Sequence, residues 1–388
     1  MFPHRLEERR SWLNRGFEAA VKYALDSKAH FFLQAGDLFD SPEPRNVERQ
    51  LVAEALAKLR DAGVRCLGIG GNHDTPRSRI GRGIATPQST YARLGGLRLL
   101  GEYKDGWADG VQRGQAVLRV PDPHIDVEAF TVEGVRLAIG GVAPDLTLPA
   151  GSDPLDGLDW QPEADIALLM LHSSLEGHVF PDAAEPIVRR RTVKQLRGIH
   201  CLVVGHVHRY ATFRWGDKTI VVPGATERMT FADDARPGFA YMEVEPDHPP
   251  EVRQVQVECQ PRRRLEICTR DLSDVDPSEE IKARLEQVCD RDAMVRLIVH
   301  GPISRQRYHQ LKLREVASYG STHSFFFDLD TTGLYVEDEP VARPEGLKRL
   351  SQREELIRFA QERREAASSP EERDLIDEAL QAILDEYI

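Results

Sequence analysis

Helical and strand-like patterns of apolar positions alternate along the first 70 residues. Apolar residues recur at helical spacing over residues 5–26, which predicts an amphipathic helix. Short apolar runs at 31–35 and 64–69 predict buried strands, and a second helical pattern at 47–62 separates them. Strands that alternate with helices in this way are typical of an α/β fold.

Further apolar runs of strand length continue the alternation as far as residue 244. They occupy residues 136–140, 166–171, 201–204, 219–222 and 239–244. Residues 80–135 are rich in Gly and Pro and predict only short strands. Several of the strands end in polar segments, and in an α/β sheet such segments are candidates for a functional edge.

A second and smaller unit follows a proline-rich break. The sequence EPDHPP ends the first pattern and predicts a boundary near 245–262. Three strand-like runs then alternate with two helical patterns, the first of which has Pro277 at its first helical position. The pattern predicts a βαβαβ unit whose second helix covers residues 305–318.

Two helical patterns, at 347–366 and 370–387, end the chain. The second carries an apolar stripe along one face: Leu375, Ile376, Ala379, Leu380, Ile383 and Leu384. Such a stripe predicts contact either with the body of the protein or with the groove of a partner.

The composition is that of a folded protein with a negative net charge. Of 388 residues, 41% are hydrophobic, and the formal net charge is −12, which by itself disfavours binding to a phosphate backbone. Positive residues nevertheless form three local clusters: Arg77, Arg79 and Arg82; residues 189–191 with Lys194 and Arg197; and residues 262–264. The last two are typical of solvated faces. The first directly follows a candidate site.

The start of the sequence and the spacing of its cysteines indicate no further functional site. The start, MFPHRLEERR, has neither the apolar run of a secretory signal nor a membrane span, which predicts a cytoplasmic protein without a membrane partner. The five cysteines lack metal-ligand spacing, and we expect reduced thiols.

Polar residues of one chemical kind follow four of the predicted strands. They are Asp37 in GDLFD, Asn72 and His73 in GNHD, His172 in LLMLHSS, and His206 and His208 in VVGHVH. Each could be structural when taken alone, as a turn cap or a satisfied histidine. The carboxyl ends of strands in an α/β sheet converge on one crevice, however, and oxygen and imidazole ligands suit manganese, iron or zinc. Together the residues predict a site for two metal ions that clamps a phosphoryl group.

The series GDLFD, GNHD, LH, GHVH and PGATER resembles the calcineurin-like metallophosphoesterases, and more narrowly the bacterial DNA-repair exonucleases of the SbcD and YhaO type. The resemblance implies an α/β (α+β) fold, with a metallophosphoesterase β-sandwich flanked by helices over residues 1–258. It also implies a small βαβαβ capping and DNA-binding domain over 259–340. C-terminal helices over 341–388 would then bind a partner.

The resemblance also implies a role for each candidate residue. Asp37 would bridge two divalent ions, expected to be Mn²⁺, and His208 would bind the first of them. The second ion would be completed by Asn72, His172 and His206. His73 would be the catalytic residue, contacting the phosphate or protonating the leaving oxygen. Arg77, Arg79 and Arg82 would contact DNA. The partners implied are DNA, an SMC-like ABC ATPase subunit and a second copy in a homodimer.

The first metal-binding motif of the family, Asp-x-His, does not occur before Gly36 in this sequence. The family begins with a strand that carries Asp-x-His, both ligands of the first ion, and His4 has no strand pattern around it that would make it a substitute. Either a start called too late or a truncated sequence would explain this, and a late start predicts that the DNA upstream encodes the strand in frame. The alternative is a pseudo-enzyme. We expect the chain as written to hold about one ion.

Three functions are compatible with the pattern. The first is metal-dependent hydrolysis of phosphodiester bonds at DNA ends in repair. The others are a phosphoesterase of small phosphate esters and a non-catalytic subunit that binds DNA ends and the ATPase.

Overall fold

The computed structural model describes residues 3–76, 86–101, 125–146, 148–178, 185–229, 231, 235–273, 275–337 and 352–367, with a few positions from 369 to 380. A long helix, α1 (Pro3–Asp26), opens it as predicted. The next elements are β1 (Phe31–Ala35), α2 (Asn46–Asp61) and β2 (Arg65–Ile69), and the two strands pair in parallel.

Two short elements complete this first layer. They are α3 (Gln88–Arg93) and β3 (Arg98–Leu99), and β3 extends the parallel sheet in the order β1-β2-β3. Helices α1 and α2 cover the sheet through a core that includes Val21, Leu56 and Leu59. Their helical apolar spacing therefore gives each helix a face that is buried against strands.

A six-stranded sheet forms the second layer. Its strands are β4 (Ile125–Val132), β5 (Val135–Val142), β6 (Ile166–His172), β9 (Cys201–Gly205), β10 (Ala211–Trp215) and β11 (Lys218–Val222). Between β6 and β9 lie the short strands β7 (Ser174–Leu175) and β8 (Ile187–Val188) and the helix α4 (Arg190–Gln195). The sheet order is β10-β11-β9-β6-β5-β4, and its four central strands are parallel.

The two sheets pack face to face. Leu67 and Ile69 of the smaller sheet share a core with Ile139, Met170 and Val203 of the larger one. All seven residues of β6 are buried, which explains why this central strand has a continuous apolar sequence. The α/β fold class and the helix-flanked sandwich are thus confirmed.

A hairpin leads from the sandwich to a four-stranded sheet. The hairpin is formed by β12 (Gly238–Glu243) and β13 (Glu251–Gln256). The sheet contains β14 (Arg262–Cys268), β15 (Met294–Ile303), β16 (Phe326–Asp330) and β17 (Leu334–Val336), all parallel to β15. Helix α5 (Pro277–Glu286) crosses from β14 to β15, and the side chain of Asp276 accepts from the N–H of Glu279 at its start.

The single helix predicted over 305–318 is wrong. The structure has two helices, α6 (Arg305–Gln310) and α7 (Leu313–His323), separated at Lys312, whose φ of 44° is left-handed. Leu311 and Leu313 both pack into the core of this sheet. Residues two apart on one continuous helix point in nearly opposite directions, so the break is what lets both leucines face inward.

The last described helix is α8 (Gln352–Ala366), which lies within the predicted pattern 347–366. The prediction over 370–387 falls largely outside the described residues, as do Arg77, Arg79 and Arg82 and much of the region 80–135. Strands β10 and β17 were not predicted from the sequence. Among the helices that can be described, none is long and apolar enough to cross a membrane.

The first turns of α1 contact distant parts of the chain. The guanidinium of Arg5 donates to the carbonyl of Ser324 at 2.6 Å and to that of Phe325, both just before β16. Arg9 donates to the side chain of Gln260 at 3.0 Å and pairs with the buried Glu227 at 3.4 Å. Helix α1 thus connects the sandwich with the four-stranded sheet.

Candidate metal centre

The candidate ligands lie at the carboxyl ends of paired strands from both layers of the sandwich. Asp37 follows β1 and Asn72 follows β2, which are parallel neighbours in the smaller sheet. His172 ends β6 and pairs in register with Gly205 at the end of β9, so that His206 comes next to it. Parallel pairing therefore places all four residues at one edge of the sandwich.

Two of these residues have backbone conformations in the left-handed region. Asp37 has a φ of 51° and His206 a φ of 85°. A residue with a Cβ pays on the order of 1 kcal/mol for this conformation, and such strain is concentrated at functional sites. The turns after β1 and β9 thus keep strained backbones at Asp37 and His206, and these backbones direct the two side chains toward the centre.

The side chains of four predicted ligands converge. The ligand atoms of Asp37, His172 and His206 all lie within 4.8 Å of one another. The Oδ1 atom of Asn72 lies 2.9 Å from Nε2 of His172 and 3.1 Å from Nδ1 of His206. Oδ2 of Asp37 lies 3.0 Å from the same Nε2 of His172.

The chemistry of this donor set fits a cation. His172 places its Nδ1 2.8 Å from the carbonyl of Ala35, so that in a neutral ring this nitrogen carries the hydrogen and donates it. The lone pair of Nε2 then faces the oxygens of Asn72 and Asp37, which also accept. Acceptors that face one another need a proton or a metal ion between them, and nitrogen and oxygen donors of this kind suit divalent transition metals.

The pKa values of the pair reflect the same arrangement. Burial opposes charge on His172, but the hydrogen bond and the charge of Asp37 outweigh it and raise the pKa of the imidazole. Burial likewise opposes charge on Asp37, yet His172 and the N–H of His73 hold its pKa below the ordinary value. Burial and the neighbouring His172 lower the pKa of His206. The charge of Asp37 and its hydrogen bond thus favour the protonated form of His172 relative to an ordinary imidazole.

His208 is placed differently from the other four. It is half-buried, and its carbonyl accepts from the N–H of Ala225 at 3.0 Å. It is not among the three residues whose ligand atoms converge. Its role at a first ion remains the prediction made from the sequence.

His73 lies beside this cluster in a groove. Its backbone N–H donates to Oδ1 of Asp37 at 2.9 Å, and its Nδ1 lies 2.9 Å from Oδ1 of Asp40. The side chain of His73 is 49% exposed. It lines a groove of about 640 Å³ together with Asp40, Asn72 and Thr75. An exposed imidazole beside the donor set is suited to contact a substrate rather than to bind the ion.

Comparison with known proteins identifies the family. The calcineurin-like phosphoesterase model matches residues 10–210, more than half of the chain. The chain belongs to the calcineurin-like phosphoesterase family. Phosphoesterases of this family use divalent metal ions, which agrees with the donor set described above.

Three relatives to which this chain is similar carry the name DNA double-strand break repair protein Mre11. The protein of Aeropyrum pernix is 42% identical over 77 residues, which are 20% of this chain and 19% of the relative. That of Archaeoglobus fulgidus is 25% identical over 70% of this chain, and that of Haloferax volcanii is 25% identical over 77%. The chain spans 58% of the length of each of these last two relatives.

This member of the calcineurin-like phosphoesterase family uses glycine where its loops approach one another. A Cβ on Gly71 would lie 2.0 Å from Oδ1 of Asp37, and one on Gly205 would lie 1.8 Å from the carbonyl of Ala35. Any larger residue would displace the turn after β1. The glycines of the GNHD and GHVH segments are therefore steric requirements of the centre.

Asp74 fastens the two loops of the smaller sheet. Its fully buried carboxylate accepts from the N–H of Gly71 at 2.7 Å, from the N–H of Leu38 at 2.9 Å and from the amide of Gln88. Burial raises the pKa of this carboxyl above its ordinary value. Asp74 thus positions the loops without entering the donor set.

Two carboxylates beside the histidines were not predicted from the sequence. Asp40 contacts His73, and its place in GDLFD was a usable signal. Glu185 contacts His206, and no motif marks it. Arg77, Arg79 and Arg82 lie outside the residues that the structure describes.

Proposed function

We propose that this protein hydrolyses phosphodiester bonds at DNA ends once two divalent ions are bound, with Mn²⁺ as its divalent ion. The observation that carries the proposal is the convergence of acceptor atoms from Asp37, Asn72, His172 and His206 at one edge of the sandwich. The similarity to proteins named for DNA double-strand break repair supports DNA as the substrate.

The residues of the centre would divide the work. Asp37, Asn72, His172 and His206 would hold one ion, with Asp37 shared with a second ion that His208 helps to bind. Bound divalent ions would polarise a phosphoryl group and activate a water for attack.

His73 would protonate the leaving 3′ oxygen. Asp40 holds its Nδ1 at 2.9 Å, which leaves Nε2 for proton transfer to a substrate in the groove. The backbone N–H of His73 also donates to Asp37, which holds the backbone of this residue next to the donor set.

Other parts of the chain would recognise the DNA and the partners. Arg77, Arg79 and Arg82 follow the GNHD segment and would contact the backbone of the substrate. Residues 259–340 would act as the capping domain, and residues 341–388 would bind an SMC-like ABC ATPase. We further propose a homodimer and a cytoplasmic location.

A test uses linear and covalently closed circular DNA of the same sequence. Protein that binds two Mn²⁺ ions should release nucleotides from the linear form only, and His172→Ala should abolish the release. The chain as written, with about one ion, should be weak or inactive. His248→Ala is the matched control, because the side chain of His248 is exposed and its Nδ1 hydrogen-bonds with the nearby carbonyl of Pro246. DNA-end binding and Mn²⁺ binding without hydrolysis would favour a non-catalytic subunit. Hydrolysis of p-nitrophenyl phosphate but not of DNA would favour a small-ester phosphoesterase.

A further inference from the structure

The two histidines of the centre present opposite ring nitrogens to it. His172 faces Asn72 with Nε2, whereas His206 faces the same Oδ1 with Nδ1. The two rings meet edge to face, with centroids 5.2 Å apart. The second nitrogen of each ring therefore points away from Asn72, where a different partner can hold it.

The outer partner of His172 is a backbone carbonyl, and that of His206 is a carboxylate. Nε2 of His206 lies 2.8 Å from Oε2 of Glu185. An ionised carboxylate can only accept, so Nε2 carries the hydrogen and Nδ1 keeps its lone pair for the centre. We infer that Glu185 is a positioning residue, which fixes the tautomer and the orientation of His206 for metal binding.

Glu185 is itself held in place from two directions. The hydroxyl of Ser174 donates to its other carboxylate oxygen, Oε1. Its backbone carbonyl accepts from the N–H of Gly151 at 2.8 Å. The β7–β8 ladder then pairs Ser174 with Ile187, two residues beyond Glu185. Since Ser174 lies two residues after His172, one short segment supports both histidines.

Glu185 is not a member of the donor set. It contacts Nε2 of His206, while Asn72 contacts Nδ1 on the other side of the same ring. A ring nitrogen that donates to a carboxylate cannot also bind an ion, so Glu185 acts on the ion only through His206. In metal sites, such outer carboxylates raise the basicity of the ligand, and their loss typically costs about 10-fold to 100-fold in affinity.

The inference rests on the proposed metal site, and its test separates the two. Isothermal titration with Mn²⁺ gives the affinity of wild type, Glu185→Ala, Glu185→Gln and Ser174→Ala. ¹⁵N NMR of the metal-free proteins in alkaline buffer gives the tautomer of His206 independently of any ion. Glu176→Gln is the matched control, because Glu176 lies in the same segment but accepts from the N–H of Arg190 at 2.9 Å and not from a histidine.

Glu185→Ala should weaken Mn²⁺ binding by about 10-fold to 100-fold and mix the tautomers of His206. Glu185→Gln keeps an uncharged acceptor and the shape of the side chain, so it should lose less, and Ser174→Ala should lose least. Glu176→Gln should match wild type. An unchanged tautomer or an unchanged affinity in both Glu185 variants would overturn the inference. If wild type bound no Mn²⁺, the proposed function would fail instead, while the NMR spectra would still report on Glu185. Should Glu185→Ala not fold, Glu185→Gln decides the outcome.

Discussion

His73 shows how a single residue can serve two purposes through different atoms. Its backbone N–H belongs to the structure of the centre, because it donates to Asp37. Its imidazole lines the groove, where Nδ1 lies 2.9 Å from Oδ1 of Asp40. Substitution of the side chain should therefore separate catalysis from metal binding.

We expect His73→Ala to lower the rate of hydrolysis by about 100-fold or more, which is the usual scale for loss of a general acid. Metal content should barely change, because the backbone N–H to Asp37 remains. His172→Ala, in contrast, should lose metal. Elemental analysis of both variants checks the assignment, and a missing ion in His73→Ala would move His73 into the ligand set.

Metal binding should depend on pH through His172. Asp37 raises the pKa of this imidazole, and a proton on Nε2 occupies the position that the ion needs. Affinity for Mn²⁺ should therefore fall as the pH falls, beginning above the ordinary imidazole value of about 6.5. Titration calorimetry in two buffers of different ionisation enthalpy should show proton release on binding. An affinity that is constant from about pH 8 to pH 6 would contradict this expectation.

At the scale of elements, hydrogen bonds to Asp74 join the two loops that follow β1 and β2 of the smaller sheet. The loops after β1 and β2 approach so closely that only glycine fits at position 71. Asp74 then supplies acceptors for the N–H groups that this approach buries. The geometry of the donor set is thus fixed by a carboxylate that never touches an ion.

Asp74→Ala should lower the free energy of unfolding by about 3 kcal/mol or more, because the N–H groups of Leu38 and Gly71 and the amide of Gln88 would lose their acceptor. Asp74→Asn keeps one acceptor oxygen and should cost less. Urea unfolding measures both, with Asp61→Ala as an exposed control that loses only its pairing with Arg60. Equal stability of all three variants would remove Asp74 from this role.

The elements that were predicted from the sequence have either a continuous apolar run or apolar residues at helical spacing. Strand β6 is buried throughout, and its apolar run was recognised. Strand β10 has only five residues, with apolar and polar residues in alternation and Trp215 alone buried, and this weaker signal was missed. Asn72, His172 and His206 could be found because each directly follows an apolar run. Glu185 could not, because it approaches His206 only through the fold, 21 residues away in sequence.

At the scale of the whole molecule, helix α8 carries an exposed aromatic residue. Phe359 is 55% exposed on it, with the guanidinium of Arg363 at 5.3 Å from the ring centroid, whereas Ala360 is buried. Single exposed apolar residues are common on protein surfaces, so partner binding by residues 341–388 stays a prediction from the sequence.

Deleting residues 345–388 should abolish co-purification with the proposed ATPase and leave the melting temperature of the remainder nearly unchanged. The reason is that a partner-binding helix contributes little to the core of the free protein. Differential scanning calorimetry and affinity purification of the full and shortened chains check both halves of the prediction. A large drop in melting temperature would show that the helices instead pack on the body.

The contact between Arg5 and the residues just before β16 also has a consequence for synthesis. Arg5 and Ser324 are 319 residues apart, so the acceptors of Arg5 leave the ribosome long after the helix that carries it. At about 5 to 20 residues per second, the delay is about 15 to 60 s. During that interval the sandwich can form, but the first turns of α1 still lack these carbonyls. The contacts that join α1 to Ser324 and Phe325 are therefore among the last to form during synthesis.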